Sequence, residues 1–422
     1  MRLSCSYHFL PKRRTCNTSF VQTVFGIGPE VGRNVIARDV EVDYAPGRIV
    51  LFSGPSGSGK SSLLREAAKQ AEGALALDEC AGGVDALIDA VGGEAGAAAH
   101  LLSLCGLGEA LLMLRCPDEL SDGQRYRFGL AKALAAAAQT LVADEWCAKL
   151  DRVTAKVLSR NARKIADKRG IGMLLATTHE DIIADLQPDT IVWCRGNGIV
   201  EVEKRRPFRG PVSFHQRLEI TEGTGADWPF FARWHYRGHG LGPVRRVFVL
   251  WHDREPIGIC ILGYGPLSSS ARNRLFGLSG SITKALAARI NRNFVSVTRL
   301  VLDPRYRGAG IASAFLRRVC ELSPWPWVEL VSEMANLVPF CEAAGFRLVQ
   351  RSPDKTKAGA GGSHSAPGAG RGHYGKSNWT AKGYGAYLKK VRFSRPAYYV
   401  FDNRKNCALG TAHSSRRPWG ND

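Results

Sequence analysis

The order of apolar and polar positions along the 422 residues predicts two successive units, each with strands and helices. In the first, residues 40–44 alternate as a strand does, and a Pro46-Gly47 turn leads into the apolar run Ile49, Val50, Leu51 and Phe52. A glycine-rich turn follows, and a helix is expected from it to about Gly73. A short strand at 74–77 ends at Asp78 and Glu79, and residues 97–114, which include His100 and Glu109, read as one amphipathic helix. Apolar strands at 140–145 and 172–176 complete the unit. Residues 1–18 show no pattern and read as a loosely attached lead-in.

A charged stretch at 202–210, with Pro207 and Pro211, marks a boundary. Beyond it, residues 245–251 and 258–264 form a hairpin around the turn at 253–256. A helix at 282–290, a strand at 295–302, a second glycine turn and an amphipathic helix through Leu322 follow. Then come a strand at 328–331, a helix whose end is residues 340–346, and a last strand at 396–400. Residues 354–385 are rich in Gly, Ser, Lys and His, with Tyr374, Trp379, Tyr384 and Tyr387 interleaved. That composition suits a flexible basic insertion able to stack on bases. The expected units are 1–205, 206–402 and an unstructured tail at 403–422.

Charge sharpens this division. Residues 1–205 hold 25 basic and 25 acidic side chains, so the whole formal charge of +20 belongs to residues 206–422. A polyanion, nucleic acid above all, is the natural partner for that half. No uncharged run reaches the length of a membrane span, and no apolar segment follows the early basic residues as it would in a secretory signal. Eleven cysteines without a C-x-x-C pair fit reduced thiols and a cytoplasmic location.

Three stretches of the first unit carry chemistry. Gly54, Pro55, Ser56, Gly57, Ser58, Gly59, Lys60 and Ser61 sit between strand and helix, where closely spaced glycines turn backbone N–H groups toward phosphate oxygens. Lys60 adds positive charge, and the Ser61 hydroxyl can ligate Mg²⁺. Ser121, Gly123 and Gln124 open a helix after Leu120. Asp144 and Glu145 end a buried strand, and adjacent strand residues point to opposite faces, which predicts different tasks: Asp144 for the Mg²⁺ shell, Glu145 for a water.

Over about residues 20–205 these stretches resemble the ATP-binding-cassette ATPases: 54–61 its Walker A loop, 120–124 its signature, 141–145 its Walker B strand and His179 its switch histidine. Residues 148–151 stand where that family has its D-loop. The resemblance implies a homodimer that sandwiches two ATP, each capped by the partner's signature serine. No glutamine lies between Ala71 and Gly123, so a Q-loop residue is missing or replaced by Asp78 or Glu79. Lys60 and Ser121 are only 61 positions apart, a short interval for transport members. Both departures point to a switch rather than a transporter subunit.

In the second unit Arg305, Arg307, Gly308, Ala309 and Gly310 join a strand to a helix, presenting backbone donors and charge to a pyrophosphate. A dinucleotide loop needs G-x-G-x-x-G, which is absent. The stretch resembles the acyl-CoA loop of the GNAT acyltransferase superfamily, the likeness extending over about residues 211–401. Where many members have a tyrosine acid after the helix phenylalanine, this chain has Cys341, so Tyr264, Tyr306 and the thiol are the candidates; a buried, inert Cys341 is the simpler reading. Trp234, His235 and Tyr236 suggest a substrate-side loop with a faint likeness to phage Mom-type transferases; a metal pair of His235 with His239 is disfavoured by Gly238 and Gly240.

The expected fold class is thus α/β: a P-loop, RecA-like, ABC-type domain followed by an α+β GNAT-like domain with a long Gly/Lys-rich insertion. The expected function is an ATP-hydrolysing switch controlling an acyl-CoA-dependent N-acyltransferase that acts on nucleic acid. A protein acceptor, or a non-catalytic nucleic-acid-binding second domain, are the alternatives.

Overall fold

The computed structural model describes residues 1–8, 11–28, 33–77, 83–207, 210–236, 240–279, 281–352 and 395–407. Asp78, Glu79, His239, the insertion at 354–385 and the tail beyond 407 lie outside them.

The first unit runs β1 (Arg2–His8), α1 (Cys16–Val24), β2 (Arg33–Glu41), β3 (Ile49–Ser53), α2 (Lys60–Gln70) and β4 (Ala74–Ala76). It continues through α3 (Leu87–Ala90), α4 (Ala95–Leu104), α5 (Ala110–Met113), α6 (Asp122–Ala135), β5 (Thr140–Ala143) and α7 (Arg152–Arg169). It closes with β6 (Gly172–Thr177), α8 (Ile183–Leu186), β7 (Thr190–Gly196) and β8 (Ile199–Lys204). Six strands form a sheet in the order β4-β5-β6-β3-β7-β8, parallel except for the β7/β8 pair. Its central strands are buried on both faces, which is why they read as unbroken apolar runs. Ile49 and Leu51 pack toward α6 and α7, while Val50 and Phe52 pack toward α2 and the β1/β2 pair.

Two expectations fail here. The lead-in at 1–18 contains β1, paired antiparallel with β2 and holding Leu3 fully buried; its single large apolar side chain in the core left no visible period. The helix expected over 97–114 is two, α4 and α5, because the chain turns at Gly106, whose φ is +77°.

The second unit runs β9 (Leu218–Gly223), α9 (Trp228–Ala232), β10 (Val244–His252), β11 (Glu255–Gly263), α10 (Ser270–Phe276), α11 (Lys284–Asn293) and β12 (Phe294–Leu302). Then follow α12 (Ile311–Leu322), β13 (Trp327–Ser332), α13 (Phe340–Ala343), β14 (Arg347–Arg351), β15 (Ala397–Asp402) and α14 (Arg404–Cys407). The strand order is β14-β15-β13-β12-β11-β10-β9. Only β12 and β13 run parallel, and their pairing spans just Phe294↔Trp327 to Val297↔Leu330. Residues beyond Val297 and Leu330 part, opening a wedge at the carboxyl ends of the two strands. The start of the supposed tail is also ordered: Asn403 is fully buried and donates to the Ser323 carbonyl at 2.9 Å.

The units are joined by more than the chain. Val157 of α7 belongs to the second unit's apolar cluster, among Phe214 and Tyr306. Asp185 of α8, fully buried, accepts from both the backbone and hydroxyl of Ser213 at 2.7 Å. His100 of α4 lies 2.9 Å from the Leu337 carbonyl through Nδ1.

On the opposite face of the second sheet Arg272 and Glu329, 0% and 1% exposed, form a two-pronged ion pair at 2.6 and 2.7 Å, with the Tyr398 hydroxyl also on Glu329. Glu329→Ala is expected to leave the guanidinium buried without its counter-charge and to destabilise the protein by about 3–5 kcal/mol. Urea unfolding followed by circular dichroism checks this.

Candidate functional site

The strand β3 ends against a loop whose glycines are required by space. A Cβ on Gly54 would lie 2.1 Å from the Cys194 carbonyl oxygen, and one on Gly59 would lie 2.4 Å from Ile36 Cγ2. Gly57 and Gly59 have φ of +77° and +93°, so the backbone curls over the start of α2. The loop opens onto a cleft of about 500 Å³ whose walls include Ser56, Lys60, Ser61, Asp144, Glu145 and Thr178.

Lys60, 8% exposed, donates to the Pro55 carbonyl at 2.6 Å. Burial lowers its pKa, against the pull of Asp144 and Glu145. The hydroxyl of Ser58 is buried without a partner among the described residues, which suits an anion held by the loop. Ser61 and Asp144 share the cleft, an oxygen pair of the kind Mg²⁺ takes alongside phosphate oxygens.

The two carboxylates do not sit on opposite strand faces as expected. β5 ends at Ala143, and Glu145 adopts φ +51°, turning the chain so that both acids reach one cleft. The Trp146 amide, donating to the Ala176 carbonyl at 2.7 Å, and the Thr177 hydroxyl, donating to the Trp146 carbonyl at 3.2 Å, fix that turn. His179 follows the cleft-lining Thr178, its amide bonded to Thr177 Oγ1 at 3.1 Å. Ser121 caps α6 in a reciprocal box with Gln124, and Gly123 packs beside Leu150; this exposed turn is not part of the same chain's cleft.

The second glycine turn differs from expectation. Arg305 is tied to Asp303 at 2.6 Å and to Glu255, pairs that raise its pKa and occupy its guanidinium. Arg307 donates to the Leu302 carbonyl at 3.0 and 3.1 Å. Gly308 backs onto α7: its carbonyl accepts from Lys164 at 3.1 Å, and a Cβ there would meet Asn161 Nδ2 at 2.5 Å. Burial lowers the Lys164 pKa to about 8, with Arg160 and Lys168 adding to the effect. Gly310, at φ +89°, starts α12, and Ala309 is partly buried before it.

The wedge between β12 and β13 is a second cleft, of about 270 Å³, at the amino end of α12. Trp234, His235, Tyr236 and Arg307 line it, so the structure brings the aromatic stretch and one of the two arginines together. The proposed acids do not. Tyr306 is fully buried, its hydroxyl 2.8 Å from His252 Nδ1, and burial raises its pKa. Cys341 is fully buried in the apolar cluster, and burial pushes its thiol up to about 12. Tyr264 stacks beneath Arg245, 4.6 Å from the ring centre.

Sequence reasoning missed Tyr7, which lines the nucleotide cleft from β1, and Glu109, which lines the second cleft from the first unit. Neither carried a local signal in the sequence reading.

No protein-family model matches the chain. Among curated proteins it is 26% identical over 219 residues to an aliphatic sulfonates import ATP-binding protein of Nocardia farcinica, covering 46% of this chain and 91% of that one. It is 29% identical over 275 residues to a sulfate/thiosulfate import ATP-binding protein of Rhizobium meliloti, covering 56% and 70%. It is 34% identical over 115 residues to an energy-coupling factor transporter ATP-binding protein of Lactiplantibacillus plantarum, spanning 27% of this chain and 39% of that protein's length. Among solved structures, a dimeric post-hydrolysis ATP-binding cassette bound to ADP and phosphate matches at 19% identity and a TM-score of 0.35, covering 43% of this chain and 95% of that one.

A thiol held at about 12 is almost wholly protonated at pH 8. Iodoacetamide at that pH is expected to label exposed Cys16 while leaving Cys341 unmodified, as read by peptide mass spectrometry.

Proposed function

Because its first half is an ATP-binding-cassette ATPase domain, we propose that the chain is an ATP-driven switch in which cassette closure controls acyl transfer by the second domain. Lys60 and the loop amides hold the nucleotide phosphates, and Tyr7, at the rim of the cleft, stacks on the base. Ser61 and Asp144 would hold Mg²⁺, which supplies charge neutralisation at the phosphates. Glu145 orients the attacking water and takes its proton. Ser121, Gly123 and His179 act at the dimer interface, the signature turn closing the partner's nucleotide.

The relatives are named as import or transporter ATP-binding proteins. A different output for this cassette is supported by its helical segment, which contacts the second domain through His100 and residues 108–111. Among the described residues no helix is long and apolar enough to cross a membrane.

For the second domain, the observation that carries the reading is the parted parallel pair β12/β13. It makes a cleft at the amino end of α12 with Arg307 on its wall, a place where a nucleotide-linked thioester can lay its chain along a strand and its phosphates on helix amides. The acceptor amine attacks the thioester carbonyl, the C–N bond forms as the C–S bond breaks, the amine loses a proton and the thiolate gains one. His235 and Tyr236, both on the cleft wall, are the proton-handling groups; Tyr306 and Cys341 are not. Arg307 faces the anionic ligand, while Arg305 holds the turn.

The acceptor is nucleic acid, a reading supported by the +20 confined to residues 206–422. Arg233, 4.4 Å from the ring centres of both Phe230 and Trp234, adds positive charge to the cleft wall.

Glu145→Gln is expected to lower ATP turnover at least about 100-fold and to hold an ATP-bound dimer on size-exclusion chromatography; a variant that stays monomeric with ATP contradicts the sandwich. With labelled acetyl-CoA and cell extract, the full chain is expected to place label in nuclease-sensitive material. Protease-sensitive label would identify a protein acceptor, and no label together with no acetyl-CoA binding would leave a non-catalytic module.

A further inference from the structure

The second cleft is not built by one domain. Gly108 and Glu109, from the link between α4 and α5, and Ala110 and Leu111 of α5 line it together with His235 and Arg307. The Glu109 carboxylate is close enough to Arg307 to offset part of the burial that disfavours its charge. Any ligand entering between β12 and β13 therefore meets a piece of the ATPase.

That piece is mechanically tied to the signature turn. The Arg127 guanidinium of α6 donates to the Gly106 carbonyl at 2.7 Å and to the Gly123 carbonyl at 3.2 Å. Gly106 is the residue at which the chain leaves α4 for the wall, and Gly123 lies in the turn capped by Ser121. One planar side chain thus joins the first turn of its own helix, α6, to the end of α4. The other end of the lever is anchored too: α4 is held to the second domain by His100 on the Leu337 carbonyl, and to α7 by Asn161 on the Leu104 carbonyl at 3.0 Å. Movement of α6 with its signature turn is thereby passed to Gly106, two residues before the wall.

We propose that the cleft is a shared site completed by residues 108–111 of the cassette, and that Arg127 couples the signature turn to that wall, so that ATP-driven closure and occupancy of the cleft by an acyl thioester are linked. The ligand's identity rests on the acyl-transfer reading; the shared wall does not. By linkage the effect is reciprocal, and the thioester changes ATP affinity by the same factor. Glu109 is a specificity residue in this arrangement, its carboxylate opposing an anion beside Arg307 until the wall moves.

The test uses the full chain carrying Glu145→Gln, titrated with acetyl-CoA with and without ATP. Calorimetry is expected to show at least about a fivefold change in acetyl-CoA affinity on adding ATP. Adding Arg127→Met is expected to bring that ratio to about one while nucleotide-free binding persists. Adding Glu109→Gln, on a partly exposed side chain, is expected to tighten nucleotide-free binding at least about twofold by removing a like charge. Amide exchange, read in parallel, is expected to change at 108–111 and 298–302 when ATP binds, and not with Arg127→Met. Acetyl-CoA binding that is blind to ATP, with unchanged exchange at both segments, overturns the coupling and leaves the acyl-transfer reading standing. An exchange response without acetyl-CoA binding upholds the shared wall and removes the thioester.

Discussion

The burial of helix α7 on two sides governs this molecule. Ala155, Leu158, Ala162 and Ile165 complete the core of the nucleotide-binding sheet, while Val157 is part of the second domain's apolar cluster and Asn161 and Lys164 press on Gly308. A helix that is apolar on more than one stripe must be covered on each. The second domain is that cover, so the two units are packed parts rather than beads on a linker. The same α7 follows the Asp144-Glu145 turn, with Asp151 as its cap; its first and middle turns meet the second domain through Val153, Val157, Asn161 and Lys164, and its end packs on Gly47 of the first unit.

The two clefts differ in how they are built. The first is lined by its glycine loop at the start of α2, where backbone donors and the helix dipole favour negative charge, whereas the second is lined by Arg307 and Ala312 on either side of its glycine turn. In the first, the lysine and both carboxylates come from a single domain, and the space is set by glycines that touch Cys194 and Ile36. In the second, the strand pairing lapses after four residue pairs, and a segment from the other domain supplies the missing wall. The lining of the second cleft therefore includes residues of both units.

The arginines show how packing reassigns a residue. Arg305 and Arg307 are two positions apart in a turn that any reader would mark as anion-binding. Asp303, buried and capping that turn, and Glu255 across the hairpin claim Arg305, whereas Arg307 keeps a place on the cleft wall. Tyr306, between them, turns inward to meet His252 and Phe214 and cannot reach a ligand. Cys341 shows the reverse: the simpler reading, a small buried thiol, is the one the core enforces.

The sequence alone determined the nucleotide loop, the order of strands and helices around it, the hairpin and the parallel strand-turn-helix of the second half. These are local: phosphate recognition uses consecutive backbone amides, and period fixes element type within a dozen residues. Sequence also placed the excess charge. Only the tertiary structure decided that Arg2–His8 is a strand, that Asp144 and Glu145 share one cleft, and that Tyr306 is core. It alone brought Glu109 to Arg307 from nearly 200 positions away. Such contacts depend on which helix face is left to be covered and by what, a property of the assembled core that no local pattern carries.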